Sequence, residues 1–196
     1  MKKLESTWYN MAIVLTVISV IAGGSLAYVN ELTKEPIQQI KAQQLADGIK
    51  KVLNADELKV EAPQVMEDGV EMYKTDKGTA VKASDANAFS GVLTVLVGFD
   101  VNGVITGYQV LETSETPGLG AKANEWFQTG GKGCIVGKNP AEKALTVKKD
   151  GGDVDAITAS TITSRAFLRC VNKAYAALAG QYTDANSGAT EQKKNN

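Results

Sequence analysis

The chain has 196 residues, 43% hydrophobic and 22% charged, with 21 Lys and Arg against 22 Asp and Glu for a net charge of -1. These proportions are those of a folded protein, and no basic cluster suited to nucleic-acid phosphates stands out. Histidine is absent and the two cysteines, Cys134 and Cys170, form no CxxC. That excludes His-ligated haem, a His triad or zinc site, and a four-cysteine iron–sulfur cluster built by this chain alone. Redox chemistry here would need an organic cofactor or a site shared with a partner. The cysteines are read as small packed residues, with one disulfide between them as the alternative that spacing leaves open.

The first element is a membrane segment. Ser6 to Asn30 carries no charged residue, and its apolar heart runs from Met11 to Val29. A spanning helix needs about 20 mostly apolar residues. Trp8, Tyr9 and Tyr28 stand near its ends, where aromatic belts form. Lys2 and Lys3 precede it, so the positive-inside rule puts the N-terminus in the cytoplasm and the body of the chain outside. A cleaved signal peptide, cut after Ser25–Ala27, is the rival. The apolar stretch is long for one, and a retained anchor is favoured. Both readings export the same domain.

Residues 31–54 are expected to form a stalk helix. Pro36 suits a first turn, and Ile37, Ile40, Leu45, Ile49, Val52 and Leu53 follow helical spacing. Residues 55–182 are expected to form the folded domain. EMYKT and TAVKA read as short strands around the turn at Asp76 to Gly78. GVLTVLVGFD and VITGYQVLE make a hairpin around Asn102-Gly103. Pro117, Gly118 and Gly120 then mark a loop, and AKANEWF reads as a short helix. Ala144–Lys149 is expected to be one more strand. A helix follows from Ser160 to Gly180, with Ile162, Ala166, Phe167, Cys170, Ala174 and Leu178 on its apolar face. The tail, 183–196, is polar and expected to be disordered. The fold class is α+β: one N-terminal transmembrane helix, then an antiparallel sheet with flanking helices.

The last helix opens on DAITASTITSR, where Thr158, Ser160, Thr161 and Thr163 crowd its N-terminus. One capping hydroxyl is commonplace. A helix N-terminus with unpaired amides is also a natural seat for phosphate. The stretch closely resembles the flavinylation motif of FMN-binding domains in the Rnf and Na+-pumping NADH:quinone oxidoreductase complexes. In that motif an Asp is followed, after two residues, by Ser/Thr-Gly-Ala-Thr and then further hydroxyls. Asp155 matches the acidic position, Thr158 the first hydroxyl, Thr161 the acceptor threonine, and Thr163 and Ser164 the trailing hydroxyls. Ala159 and Ser160 replace Gly-Ala. SETPGLGAKANEWFQTGGKG, Ser114 to Gly133, resembles the same family's ETPGLG loop and the helix after it. Length and a compact middle look more like the RnfG protein of the Rnf complex than its longer counterpart in the NADH:quinone enzyme.

The resemblance implies a membrane-anchored electron carrier, with FMN joined through its phosphate to Thr161. Thr158 and Ser160 would bind phosphate oxygens. Glu115, Thr116, Leu119 and Gly120 would frame the isoalloxazine, and Asp155 would order the turn. Lys122 and Lys132 are read as solvated charges, with the N1/O2 edge of the ring as the alternative. Trp126 and Phe127 are read as core, with ring stacking left open. Arg165 meets the phosphate or solvent. No metal is expected. Implied partners are the other membrane and peripheral proteins of an Rnf-type complex and a flavin transferase using FAD and Mg2+. The complex would couple ferredoxin:NAD+ electron transfer to Na+ or H+ movement, as a translocase, with no activity of this chain alone. The alternative is an assembly protein of a membrane complex that binds no flavin. A literal SGAT, Ser187 to Thr190, lies in the polar tail with nothing apolar after it, so Thr161 is the expected acceptor and not Thr190.

Overall fold

The computed structural model describes residues 7–55, 57–66 and 69–186, with side chains to residue 180. Lys2, Lys3, the end of the tail and its SGAT lie outside the described residues. The chain divides into two compact units, Met1–Gln44 and Leu45–Asn196.

The first unit is helical from Trp8 onward. Helix α1, Trp8–Val52, is one continuous element of 45 residues with Pro36 inside it. Pro36 therefore does not open a separate helix. It removes one backbone hydrogen bond at a cost of about 3 kcal/mol, which the long flanking helix tolerates. At 1.5 Å per residue α1 is about 68 Å long, more than twice the roughly 30 Å of a bilayer's hydrocarbon core. Its apolar window is unburied, and its length and composition suit a membrane crossing.

The second unit is built on a five-stranded antiparallel meander in chain order: β1 Gln64–Val65, β2 Glu71–Lys74, β3 Thr79–Ala88, β4 Gly91–Phe99 and β5 Ile105–Glu112. β4 is buried from Leu93 to Phe99 without alternation because both sheet faces are covered. Leu93, Val95, Val97 and Phe99 join Val81, Ala83, Phe127, Phe167, Cys170 and Val171 in the main core. The opposite face carries Ala80 and Leu96, which pack with Ile49, Val52 and Leu53 from the end of α1. Thr106 Oγ1 donates to the Val52 carbonyl at 2.6 Å. Gly98 lies beneath that carbonyl, where a Cβ would come within 2.8 Å of Thr106 Oγ1.

After β5 come a short 3-10 turn, Gly120–Lys122, and the one-turn helix α2, Ala123–Trp126. Helix α3, Thr161–Asn186, packs on β3 and β4. Its face buries Ala166, Phe167, Cys170, Ala174 and Leu178, while Ile162 is 49% exposed. The expected strand at 144–149 does not form. Val147 makes one isolated parallel bridge to Val154, and Lys148–Asp150 wind into a 3-10 turn. Gly152 lies too close to Thr146 for any Cβ, so the segment folds back on itself instead of extending along the sheet. Cys134 and Cys170 are both free thiols.

Candidate functional site

Two loops from distant parts of the sequence meet over the N-terminus of α3. The first follows β5. Thr116 C=O accepts from Leu119 N–H at 3.1 Å across Pro117 and Gly118, and Gly118 has φ +78°. Proline then a left-handed glycine is the signature of a type II turn. Glu115, 8% exposed, points inward from this loop. Its Oε1 accepts from the amides of Phe89 and Ser90 at 2.8 and 3.3 Å. Gly120 packs against the Glu115 side chain, where a Cβ would lie 2.9 Å from Glu115 Cβ.

The second loop leads into α3. Ser160 N–H donates to Ile157 C=O at 3.0 Å, closing a tight turn over Thr158 and Ala159. Ala159 has φ +60°, a left-handed position that favours glycine. Ser164, fully buried, locks this turn: its Oγ accepts from Ile157 N–H and donates to Ser160 C=O, both at 2.9 Å. Ser164 N–H makes the first helical bond, to Ser160 C=O at 3.0 Å. The amides of Thr161, Ile162 and Thr163 therefore have no acceptor within the helix. They form the positive end of a 26-residue helix.

Between the two loops lies a cleft of about 310 Å³, lined by Glu115, Thr116, Leu119 and Gly120 on one side and Ser160, Thr161 and Thr163 on the other. Phe89, Ala159 and Ile162 complete it. Of the expected site residues, Thr158 alone is not in the lining; it is exposed on the turn. Glu115 spends one carboxylate oxygen on the Phe89 turn, so its placement is more that of a loop brace than of a free ring contact. Sequence reasoning missed Phe89 and put Ile162 in the core. Phe89 is 69% exposed in the β3–β4 turn, and an exposed aromatic in a turn near a glycine was the available signal.

The surrounding residues fix these loops. Trp126 Nε1 donates to the Asp155 carbonyl at 2.8 Å, tying the first motif segment to the second. Phe127 stacks on Phe167 at 4.3 Å between ring centres within the core. The Asp155 carboxylate pairs with Lys148 at 2.7 Å. Arg165 forks onto Asp150, with both bonds 2.7 Å, and so faces a carboxylate here. Arg169 forks onto Asp85 at 2.6 and 3.2 Å and also reaches Asn87 C=O, anchoring the β3–β4 hairpin to α3. Lys122 and Lys132 are exposed and do not line the cleft. Burial pushes the Cys170 thiol up to about 12, which leaves it inert.

The cleft suits a phosphorylated planar ligand. Free amides and hydroxyls sit at one end, and Phe89, Leu119 and Ile162 offer exposed apolar surface beside it.

The chain matches known proteins along most of its length. A family described as "FMN-binding domain" matches residues 88–176, and one described as "RnfG N-terminal region" matches residues 1–52. The G component of an ion-translocating oxidoreductase complex of Salmonella typhi is 33% identical over 180 residues, 83% of this chain and 86% of that protein. The corresponding Escherichia coli protein is also 33% identical over 180 residues, with the same shares covered. The G component of a Na(+)-translocating ferredoxin:NAD(+) oxidoreductase complex of Acetobacterium woodii is 31% identical over 199 residues, 87% of this chain and 93% of that one.

Proposed function

This chain belongs to the RnfG family, the G components of ion-translocating oxidoreductase complexes, and we propose that it carries FMN covalently on Thr161 and passes electrons within such a complex. The observation that carries the reading is the cleft, where Thr161 on the first turn of α3 faces the Glu115–Gly120 loop. Bound FMN supplies reversible acceptance and release of electrons.

The residues divide the work. Thr161 Oγ1 forms the phosphoester. It attacks the FMN phosphorus of FAD, the pyrophosphate bond breaks, AMP leaves, and the threonine's proton passes to the flavin transferase or to water. Ser160 and the amides of Thr161, Ile162 and Thr163 hold phosphate oxygens against the helix dipole. Leu119, Ile162 and Phe89 frame the ring and exclude water from one face. Thr116 and Gly120 shape the loop edge, and Glu115 keeps that loop joined to the Phe89 turn. Asp155 orders the approach to the acceptor. Thr158, exposed beside Thr161, is left to meet the transferase.

Helix α1 anchors the chain in the membrane. The N-terminus lies on the cytoplasmic side and the flavin domain outside, where a dissociated flavin would be hard to replace; a covalent link answers that problem. The other proteins of the complex deliver and receive the electrons. The couple is ferredoxin and NAD+, the pair in the name of the Acetobacterium relative, whose complex is named as Na(+)-translocating; the coupled ion for this chain is Na+ or H+.

The test is mass spectrometry of the digested full-length chain from a host containing the flavin transferase. The expected result is one FMN on the peptide spanning Thr161, lost in Thr161→Ala. An unmodified peptide from a host that flavinylates a control substrate overturns the covalent reading and leaves an assembly protein without flavin.

A further inference from the structure

One fully buried hydroxyl in the cleft has no partner. Thr163 is 1% exposed and lines the cleft. Its Oγ1 is the buried side-chain polar atom, among the described residues, that lacks a hydrogen bond. Ser164 beside it shows how this fold treats a buried hydroxyl of its own, with one bond donated and one accepted. Threonines elsewhere in the chain follow the usual helical habit of bonding a carbonyl one turn back. Thr16 donates to Ala12 C=O at 2.8 Å and Thr33 to Val29 C=O at 2.9 Å. Thr163 lacks that outlet. Four residues before it stands Ala159, in the left-handed turn and outside the helix. Three before it stands Ser160, whose carbonyl already accepts from both the amide and the hydroxyl of Ser164.

A buried hydroxyl without a partner is destabilising, and such groups in folded proteins call for an explanation. This one sits on the turn whose three amides are also free. We propose that Thr163 Oγ1 is a donor to a phosphoryl oxygen held on the first turn of α3, and so positions the FMN phosphate for Thr161. The inference rests on Thr161 as the flavin carrier. Rotation about Cα–Cβ is open to this hydroxyl, since helical threonine populates two rotamers. The donor then complements the amides, so the phosphate meets a hydroxyl as well as the dipole. Thr163 is a positioning residue: it forms no covalent bond in the transfer.

The experiment compares wild type, Thr163→Val and Thr163→Ser as full-length chains with the transferase, FAD and Mg2+. Two quantities are read: the initial rate of FMN appearance on the Thr161 peptide, and the melting temperature of each chain before flavin is added. Valine keeps the shape and removes the orphan hydroxyl. The expected result is a loading rate lower by roughly tenfold or more, the worth of a hydrogen bond to a charged group, with an apo melting temperature equal to or above wild type. Serine restores the rate. A Thr163→Val chain that loads as fast as wild type overturns the inference and leaves Thr161 as carrier. Slow loading with a lowered apo melting temperature and no rescue by serine also overturns it, by making Thr163 structural. A wild type that takes up no flavin overturns the carrier reading and this inference together.

Discussion

Glu115 Oε1 accepts the Phe89 amide at 2.8 Å, joining the loop after β5 to the turn between β3 and β4. One buried carboxylate thereby sets the distance between two walls of the cleft. Glu115→Ala is expected to lower stability by about 1–2 kcal/mol, since the bond involves a charged acceptor but the freed amides can reach water. That corresponds to a fall in melting temperature of roughly 2–4 °C per kcal/mol. Glu115→Gln keeps an acceptor and should lose less. Thermal melts of the three chains check it; an alanine variant melting with wild type would refute the brace.

Ala159 occupies a left-handed position, φ +60°, where the flavinylation motif has glycine. A Cβ in that conformation costs about 1–2 kcal/mol. Glycine relieves it but gives back about 0.4–1 kcal/mol through a freer unfolded chain. Ala159→Gly is therefore expected to stabilise the domain by roughly 0.5–1 kcal/mol. Chemical denaturation measures the difference. A loss of stability would mean that the turn over Thr158 and Ala159 is not held as described.

Much of this architecture is legible in the sequence where pattern and burial coincide. The run from Leu93 to Phe99 is uniformly apolar because both faces of β4 are covered, and the Asn102-Gly103 turn sits where Asp100 Oδ1 accepts two backbone amides. The two halves of the cleft were readable as motifs, and the resemblance set them around one flavin; the contribution of the β3–β4 turn was not readable. Phe89 has no periodic signal, being an apolar residue in a turn, and it reaches the cleft because Glu115 holds its backbone and Arg169 ties the same hairpin to α3. Ile162 keeps the helical spacing of a core residue. It stands one residue past the first of α3, where the cleft, not the sheet, lies against it. Ala144–Lys149 has the composition of a strand, and the fold-back at Gly151 and Gly152 overrides it.

The Asp85 carboxylate is held below the usual carboxylate range, first by the hydrogen bond from Arg169, against the opposing effect of burial. A carboxylate whose pKa is depressed in the folded state contributes stability that is complete above its unfolded value, about 3.9. That contribution is lost as pH falls through the folded value. Asp85→Asn is expected to flatten the stability–pH curve below about pH 4 and to cost about 1 kcal/mol at neutral pH, because the Arg169 side chain is 47% exposed although that of Asp85 is only 11% exposed. Denaturation series at pH 3, 4 and 7 would show it; an unchanged acid slope would sink the assignment.

Phe89 tests the framing of the flavin ring apart from its attachment. Its side chain is 69% exposed, so Phe89→Ala should change the stability of the flavin-free chain by no more than about 0.5 kcal/mol. Thr161 lies on a different element, and its flavinylation should persist. A side chain packed beside a bound flavin shields the ring from water and from soluble quenchers. The loaded variant is therefore expected to yield faster to iodide quenching than loaded wild type. This is read in a Stern–Volmer titration on protein with matched FMN content. Identical quenching in the two proteins would remove Phe89 from the ring's surroundings and leave Leu119 and Ile162 as its apolar frame.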